Sequence, residues 1–317
     1  MCIEGVAVKA PAKINLFLEV LGKRPDGYHE VRSIVVPVAL FDDLTFESMD
    51  AGVETKVRGS GVQPADVKRL ENSTGNLATD AGLVLKEATG YPGGVRIRIE
   101  KGIPICGGLG GGSADAAATL KGLNEMWRTG LGLRELSLLG QRLGSDIPAM
   151  LQGRAVVVRG RGERVTALRL NREKRRSEDW WVVIVNPGFG ASTKDIYSRH
   201  KSVLTSPAGL FRNMVCALVS GDMELAARCL FNSLEKTVFV KYPLLPMIAE
   251  ELRKAGALGV LLSGSGSSLF GLARDESHAR GIGQGVTRAM GDWLWTRAAR
   301  VLPDGVKVAH SPLEARV

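Results

Sequence analysis

The chain has 317 residues, of which 44% are hydrophobic, and this length and composition are typical of about two globular domains with substantial cores. Lysine and arginine number 42 against 33 acidic residues, and a formal net charge of +9 suits phosphate-bearing ligands and would also suit nucleic acid. The positive charges are scattered, however, and only 5% of the residues are aromatic, which argues against a nucleic-acid binder.

The cysteine spacing indicates a reducing compartment, and the hydropathy argues against membrane insertion. The four cysteines show no Cys-x-x-Cys spacing and no companion histidines, so we expect neither a zinc site nor a disulfide framework. No segment has the length and apolarity of a membrane helix, and the amino terminus carries no signal or transit pattern. We therefore expect a cytoplasmic protein that binds no membrane.

The first half of the chain alternates short strands with helices, an α+β pattern. Apolar periodicity predicts strands at 6–9, 14–20, 34–38, 43–47, 95–100 and 155–159. Helices are predicted after Asn76, after Ser113 and over 134–143. The mostly basic run at 172–179 is interpreted as a solvated linker region.

The second half begins with an apolar strand and returns to strands after several helices. The predicted strands are at 180–185, 259–262 and 269–272, and the predicted helices are at 211–219, 223–230 and 244–255. This order is consistent with a ferredoxin-like domain. We place the domain boundary between residues 165 and 166.

A glycine-rich loop leads directly into one of the predicted helices. Its glycines allow positive φ and keep Cβ atoms away from a bulky anion; they are Gly107, Gly108, Gly110, Gly111 and Gly112. Ser113 and Asp115 are expected to cap the alanine-rich helix, whose free N–H groups and positive dipole end would point into the loop. We interpret the segment as a phosphate cradle.

This segment differs from two familiar phosphate-binding motifs. The spacing from Gly107 to Gly112 is that of a P-loop, but Ser113 follows in place of lysine. A dinucleotide fingerprint would need glycine at position 113 and a strand running directly into the loop. A glycine turn without a ligand remains the alternative.

A second segment rich in glycine and serine lies at 263–268, between two apolar strands. A simple hairpin turn is one interpretation. The other is a second wall of the pocket, with hydroxyls and exposed amides around Gly264 and Ser265.

Lys13 and Asn15 occupy the same side of a strand near the amino terminus, because strand side chains alternate with period two. Unless it snorkels to the rim, a lysine in an apolar strand needs an anionic partner. Asp146, just ahead of Pro148 at a helix start, is a candidate partner; it could equally be a plain N-cap.

These three segments, in this order, resemble the three motifs of the kinase superfamily named for galactokinase, homoserine kinase, mevalonate kinase and phosphomevalonate kinase (GHMP kinases). The likeness is greatest to members that phosphorylate 4-diphosphocytidyl-2-C-methyl-D-erythritol. It runs from about residue 9 to about residue 272, through matching segments at 11–18, 24–30, 107–118, 143–148 and 186–188. Asp26-Gly-Tyr-His29 separates this branch from mevalonate and homoserine kinases.

The resemblance implies a two-domain α+β GHMP-kinase fold. Residues 1–165 would form an ATP-binding domain like the second domain of ribosomal protein S5, and residues 166–317 a ferredoxin-like substrate-binding domain. The implied reaction, in the non-mevalonate isoprenoid pathway, transfers phosphate from ATP, with Mg²⁺, to the 2-hydroxyl of the cytidyl diphosphate sugar alcohol. The expected oligomeric state is a monomer or a homodimer.

The resemblance also implies roles for individual residues. Asp146 would accept the hydroxyl proton, Lys13 would keep that carboxylate ionised, and Ser113 would lie near Mg²⁺. The implied ATP contacts are Asn76, Lys101, Pro104, Gly107, Gly108, Leu109, Gly110, Gly111, Gly112, Ser113 and Ala114. Asn76 and Lys101 would contact the nucleoside, unless they are exposed turn residues.

On the acceptor side, the resemblance implies that Tyr28 and Tyr197 sandwich the cytosine ring and that His29 reads its edge, partly through its backbone. Asn15 and Thr193 would reach the methylerythritol or the diphosphate, although Thr193 could instead be a helix cap. Gly264, Ser265 and Asp146 would complete the pocket. A sibling mevalonate- or homoserine-type kinase and a catalytically silent ligand sensor on the same fold are the alternatives.

Overall fold

The computed structural model of the chain describes residues 5–59, 75–170, 179–200 and 205–305. Within these residues the strands form one seven-stranded and one four-stranded sheet. The predicted linker region at 172–179 lies, except for Asp179, outside the described residues. Where the bounds of the other elements were predicted, they agree with the structure within about two residues, except in the first two strands.

The first sheet has the order β3-β4-β2-β1-β8, with β5 pairing with β2 and β6 pairing with β5. Its strands are β1 Gly5–Lys23, β2 His29–Met49, β3 Val53–Arg58, β4 Gly94–Glu100, β5 Val156–Gly160, β6 Arg164–Ala167 and β8 Phe231–Asn232. The patterning did not predict β3, β6 or β8.

The first two strands form one long antiparallel hairpin, where four short strands were predicted. The pairing of β1 with β2 shifts register at three places along the hairpin. Such bulges bend a strand, and the two halves of β2 accordingly have different neighbours. Val31–Val35 pairs with β5, and Asp43–Met49 pairs with β4. The prediction of separate strands was wrong because Pro11 and Lys13 in β1, and Asp42 in β2, interrupt the apolar pattern although the pairing continues through them.

Four helices cover one face of the first sheet. They are α1 Leu77–Thr89, α2 Gly111–Met126, α3 Leu133–Leu143 and α4 Ile147–Gln152. The alanine-rich face of α2 is buried in a core that contains Phe46 of β2 and Ile97 of β4. This packing holds the start of α2 at the edge of the sheet, beside β1 and the end of β4.

The second sheet has the order β11-β7-β10-β9, and all of its strand pairs are antiparallel. Its strands are β7 Trp181–Asn186, β9 Val260–Leu262, β10 Leu269–Ala273 and β11 Trp295–Arg300. The helices are α5 Thr193–Arg199, α6 Leu210–Ser220, α7 Met223–Arg228, α8 Glu235–Lys241, α9 Leu244–Lys254 and α10 Glu276–Met290. This strand order confirms the predicted ferredoxin-like fold.

One hydrophobic core contains residues of both sheets. Phe17 of β1 packs against Phe211 of α6 and Phe231 of β8, with ring centroids 5.3 and 5.4 Å apart. β8 comes from the second half of the chain yet pairs with β1 in the first sheet. The predicted domain boundary falls inside β6, which pairs with β5. We therefore propose a boundary after Ala167.

Candidate active site

The amino terminus of α2 presents backbone amides at the end of the glycine-rich loop (residues 102–110). Gly110 occupies the N-cap position with φ +71°, and no side chain caps the helix. The amides of residues 111–113 therefore have no partner within the helix and suit an anion. The prediction that Ser113 and Asp115 cap the helix was wrong, since α2 begins earlier, at Gly111. The Ala114 amide already donates to the Gly110 carbonyl at 2.8 Å.

The glycine-rich loop packs against the serine loop (residues 263–268), which joins β9 to β10. The Ser268 amide donates to the Gly107 carbonyl at 3.0 Å, and the Ser263 hydroxyl donates to the Gly108 carbonyl at 3.0 Å. A Cβ atom on Gly108 would overlap the Ser263 carbonyl oxygen. The serine loop is therefore a hairpin turn that also contacts the predicted phosphate cradle.

Lys13 is buried in β1 and lies beside the carboxylate of Asp146. Its Nζ is 3.7 Å from Oδ2 of Asp146, with the lysine side chain 6% exposed and the aspartate side chain 52% exposed. The same ammonium donates to Oδ1 of Asn15 at 2.7 Å, and Nδ2 of Asn15 donates to Ser33 at 2.9 Å. Lys13 and Asn15 thus lie on one face of β1, as their spacing predicts, and the lysine does not snorkel.

Asp146 occupies the N-cap position of α4 but makes no side-chain capping hydrogen bond. A capping role therefore does not account for its carboxylate, which is half exposed and faces the buried ammonium. The Leu109 carbonyl accepts from the Lys13 amide at 2.9 Å, and the Leu109 side chain is buried in the core. These contacts bring the glycine-rich loop, β1 and the start of α4 together at one place.

Two of the aromatic residues predicted for the acceptor, His29 and Tyr197, are in contact, and Tyr197 lies near Asp146. The Tyr197 ring lies 5.1 Å from the His29 ring, tilted by 43°. Burial, and then the nearby carboxylate of Asp146, raise the pKa of Tyr197 above its ordinary value. Burial and then Lys23 lower the pKa of His29, which favours a neutral imidazole. Tyr28 is more exposed, and its ring lies 5.2 Å from the Arg161 guanidinium.

Two further predicted acceptor residues join α5 to the serine loop. The hydroxyls of Thr193 and Ser265 are hydrogen-bonded at 2.9 Å. Ser192, rather than Thr193, is the N-cap of α5, so the helix-cap alternative for Thr193 was wrong. Gly264 has φ +58°, and a Cβ there would come within 3.2 Å of Nζ of Lys13. The serine loop therefore reaches the Lys13 ammonium as well as the glycine-rich loop.

Asn76 and Lys101, predicted to contact the nucleoside of ATP, are both buried. Oδ1 of Asn76 accepts from the Ala78 amide and caps α1. Lys101 forms ion pairs with Asp42 at 2.5 Å and with Asp115 at 2.8 Å. The alternative that the two are exposed turn residues was wrong. Pro104 lies half-buried in the glycine-rich loop, between this cluster and Gly107.

The sequence analysis missed two asparagines that hold the serine loop. Nδ2 of Asn186 donates to the Ser268 hydroxyl at 2.9 Å. Nδ2 of Asn232 donates to the carbonyls of Leu262 and Gly264 at 2.9 and 2.8 Å. The Asn-Pro-Gly turn after β7 was a usable signal for Asn186. Asn232 has no local signal, because its partners lie about 30 residues away in the chain.

The part of the chain that the structure describes lacks both a metal-binding cluster and a membrane-spanning helix. There, no group of three or more histidine, cysteine, aspartate or glutamate side chains is arranged to hold a metal ion. Among the same residues, no helix combines the length and apolarity that crossing a membrane requires.

Comparisons with known proteins show which family the chain belongs to. Residues 76–154 match the family model of the GHMP kinases N terminal domain, and residues 214–292 match that of the GHMP kinases C terminal. A homoserine kinase structure from Cytophaga hutchinsonii has a TM-score of 0.75 at 21% identity, covering 96% of this chain and 97% of that one. At that identity the likeness shows the fold alone.

Several enzymes of one kind have a higher sequence identity to this chain. The 4-diphosphocytidyl-2-C-methyl-D-erythritol kinase of Pelotomaculum thermopropionicum is 41% identical over 92% of this chain and 97% of its own length. The enzyme of the same name from Symbiobacterium thermophilum is 40% identical over 85% and 91%. A crystal structure of 4-(cytidine 5'-diphospho)-2C-methyl-D-erythritol kinase has a TM-score of 0.76 at 35% identity, covering 93% and 99%. The chain therefore belongs to the GHMP kinases and, within them, to the 4-diphosphocytidyl-2-C-methyl-D-erythritol kinases.

Proposed function

We propose that this kinase transfers the γ-phosphoryl group of ATP to the 2-hydroxyl of 4-diphosphocytidyl-2-C-methyl-D-erythritol, giving the 2-phosphate and ADP in the non-mevalonate isoprenoid pathway. The observation that carries the proposal is the pairing of half-exposed Asp146 with buried Lys13 beside the uncapped start of α2. A general base and a phosphate-binding helix terminus lie there within one site. Phosphoryl transfer requires mainly such positioning and charge neutralisation.

Asp146 is the proposed general base. Its carboxylate is half exposed, so an acceptor hydroxyl can reach it, and it can take the hydroxyl proton as the oxygen attacks phosphorus. The Lys13 ammonium, 3.7 Å away, favours the ionised carboxylate and can polarise the same hydroxyl. Asn15 holds that ammonium in place, and it is also proposed to contact the methylerythritol or the diphosphate, since its oxygen can accept and its NH₂ group can donate one further hydrogen bond.

The amides at 111–113, together with Gly107, Gly108 and Gly110, are the proposed seat of the ATP phosphates. Mg²⁺ bound with ATP would neutralise phosphate charge, and the Ser113 hydroxyl is its proposed protein ligand. In P-loop enzymes a Ser or Thr hydroxyl beside the phosphate-binding loop contacts the Mg²⁺ that ATP brings, and Ser113 follows the glycine-rich loop in the same way. Pro104 is proposed to contact the nucleoside, and buried Asn76 and Lys101 are proposed to support that region by capping α1 and by pairing with Asp42 and Asp115.

Tyr197, His29 and Tyr28 are proposed to bind the cytosine ring. Tyr197 supports the proposal because it lies close enough to Asp146 for the carboxylate to raise the pKa of its phenol. A ring bound there would leave the rest of the acceptor near the base. Thr193, Ser265 and Gly264 are proposed to bind the diphosphate or the methylerythritol.

The proposal is tested by measuring ADP release with Mg²⁺–ATP and each of several acceptors in separate reactions. We expect turnover with 4-diphosphocytidyl-2-C-methyl-D-erythritol and none above the acceptor-free rate with mevalonate or homoserine. Turnover with another acceptor alone would overturn the acceptor assignment and keep the phosphate site. ATP binding without turnover on any acceptor would favour a ligand sensor.

The double variant Tyr28→Leu, Tyr197→Leu is expected to raise KM for the cytidyl acceptor by roughly 5- to 150-fold, because each lost aromatic contact is worth about 0.5–1.5 kcal/mol. KM for ATP should stay unchanged. The matched control, Tyr28→Phe with Tyr197→Phe, retains both ring faces and should keep the acceptor KM near wild type. Steady-state kinetics with each substrate varied would decide, and full efficiency in the leucine variant would contradict the proposed pocket.

We also propose that the enzyme works in the cytoplasm, because its co-substrate ATP is available there. We expect it to act as a monomer or a homodimer without nucleic acid. Cell fractionation and sedimentation of the purified protein, with and without RNA, test these expectations.

A further inference from the structure

Three charged side chains are buried together beneath the glycine-rich loop. Asp42 of β2, Lys101 at the end of β4 and Asp115 of α2 are each at most 6% exposed. The Lys101 ammonium donates to Oδ2 of Asp42 at 2.5 Å and to Oδ2 of Asp115 at 2.8 Å. One cation thus bridges two carboxylates that lie 73 residues apart in the chain.

The other oxygen of Asp42 holds the entrance of the glycine-rich loop. Oδ1 accepts hydrogen bonds from the amides of Gly102 and Ile103, at 2.7 and 2.9 Å. Asp115 is the fifth residue of α2, just past the other end of the loop. Asp42 therefore binds the loop entrance directly and, through Lys101, the helix at the loop exit.

The cluster lies next to the amides proposed to bind phosphate. A Cβ on Gly111, the first residue of α2, would come within 3.4 Å of Nζ of Lys101. The Lys101 ammonium donates hydrogen bonds to both carboxylates, so it connects Asp42, which holds the loop, with Asp115 of α2. This geometry differs from the direct nucleoside contact that the sequence resemblance implies for Lys101.

The cluster has an uneven charge balance. Two carboxylates and one ammonium give a net charge of −1 when all are ionised, and a buried uncompensated charge is costly. Burial raises the pKa of Asp115 from 3.8 to about 7; Lys101 opposes the increase, and Asp42 adds to it. Oδ1 of Asp115 has no hydrogen-bond partner among the described residues. Among those residues, Lys101 and Asp42 are the charged groups that act on Asp115.

We propose that Asp42, Lys101 and Asp115 form a clamp that joins the two ends of the glycine-rich loop and so positions the phosphate-binding amides, with Asp42 as the principal positioning residue. The effect on ATP rests on the proposed function, since it takes residues 107–113 as the phosphate site. The effect on the loop does not, because it follows from the hydrogen bonds of the protein alone.

Asp42→Asn tests the clamp by steady-state kinetics. The asparagine oxygen can keep the two loop amides, but its NH₂ group then faces the Lys101 ammonium in place of a carboxylate oxygen. We expect KM for ATP to rise at least about tenfold, with kcat changing less than about threefold, because Lys13 and Asp146 lie on other elements. A purely structural role would lower the thermal midpoint and the active fraction without changing KM.

The neighbouring residue provides a matched control. Asp43→Asn makes the same chemical change one position along β2, where the carboxylate is 54% exposed and pairs with exposed Lys9 at 2.7 Å. We expect wild-type KM for ATP in this variant, because exposed ion pairs contribute little. An increase in KM equal to that of Asp42→Asn would overturn the clamp.

Hydrogen exchange on the ATP-free protein separates the clamp from the proposed function. We expect Asp42→Asn to accelerate exchange of the amides over 102–112 at least about tenfold, while Asp43→Asn leaves them unchanged. Unchanged exchange in Asp42→Asn would overturn the clamp whatever the enzyme binds. Accelerated exchange in a protein whose wild type fails to bind ATP would retain the clamp and reject the proposed function.

Asp115→Asn is a second variant that should fold, because it leaves Lys101 and Asp42 as a neutral pair. It replaces the charged acceptor through which Lys101 holds α2 and keeps the bonds from Asp42 to the loop entrance. We expect faster hydrogen exchange of the amides at 110–114, with the amides of Gly102 and Ile103 unchanged. Wild-type exchange at 110–114 would contradict the part of Asp115 in the clamp.

Discussion

Replacing Asp146 with asparagine is expected to lower kcat by about 10²–10⁴, the usual contribution of a positioned general base. Asparagine has nearly the same shape but cannot take the proton of the acceptor hydroxyl. The dissociation constant of ATP should stay within about twofold, since the amides at 111–113 belong to a different element. Single-turnover ADP formation and equilibrium ATP binding on the same preparation measure the two effects.

An aspartate at a different helix start provides the control. Asp275 is the N-cap of α10, and its side chain accepts from the His278 amide at 2.7 Å. Asparagine caps helices about as well as aspartate, so Asp275→Asn should keep both activity and stability. Wild-type turnover in Asp146→Asn would exclude this carboxylate as the base. Equal losses of turnover and ATP binding would indicate instead that the change had disturbed the loop.

Gly108→Ala is expected to lower kcat/KM by about 100-fold or more, since misplacing reacting groups by about 1 Å can cost that much. Gly108 has φ +76°, and its Cβ would overlap the Ser263 carbonyl oxygen and lie 2.9 Å from that of Gly266. Both neighbours are backbone atoms of the serine loop, so the two loops must separate. Steady-state kinetics and thermal unfolding would measure the change.

Gly130 provides a control for the backbone conformation. Its φ is +71°, nearly that of Gly108, but a Cβ there would meet nothing within 4 Å. Gly130→Ala should therefore cost about 1–2 kcal/mol of stability from the left-handed conformation and leave kcat/KM unchanged. Equal activities in the two variants would show that the contact between the loops is not needed for catalysis.

Local patterns in the chain were sufficient for several parts of the fold and the site. The presence of α2 followed from a glycine run before an alanine-rich segment, because backbone freedom and helix propensity are local properties, although the helix begins at Gly111 and not after Ser113. Period-two spacing placed Lys13 and Asn15 on one face of β1, where their side chains are hydrogen-bonded. The order of the predicted elements was consistent with a ferredoxin-like second domain, although its last strand, β11, was not predicted.

The features that the sequence did not predict have a common cause, because each depends on contacts between residues that are distant in the chain. The continuity of β1 and β2 depends on how the two strands pair, and register shifts along the hairpin interrupt the alternating pattern from which strands are predicted. β8 has only two residues and is a strand because it pairs with β1, more than 200 residues earlier. Asp42 and Asp115, which form ion pairs with buried Lys101, are 59 and 14 residues away from it in the chain.

The sequence by itself determined the kinds of most elements and, through its motifs, the kinase family, and the phosphate-binding role proposed for the glycine-rich loop rests on the same motifs. Only the tertiary structure decided which groups act together: Asp146 with Lys13, the serine loop with Gly107 and Gly108, and Asp42 with both ends of the glycine-rich loop. The physical reason is that propensity and periodicity act over a few neighbouring residues. Ion pairs and close packing depend instead on positions that chain folding sets across the whole molecule.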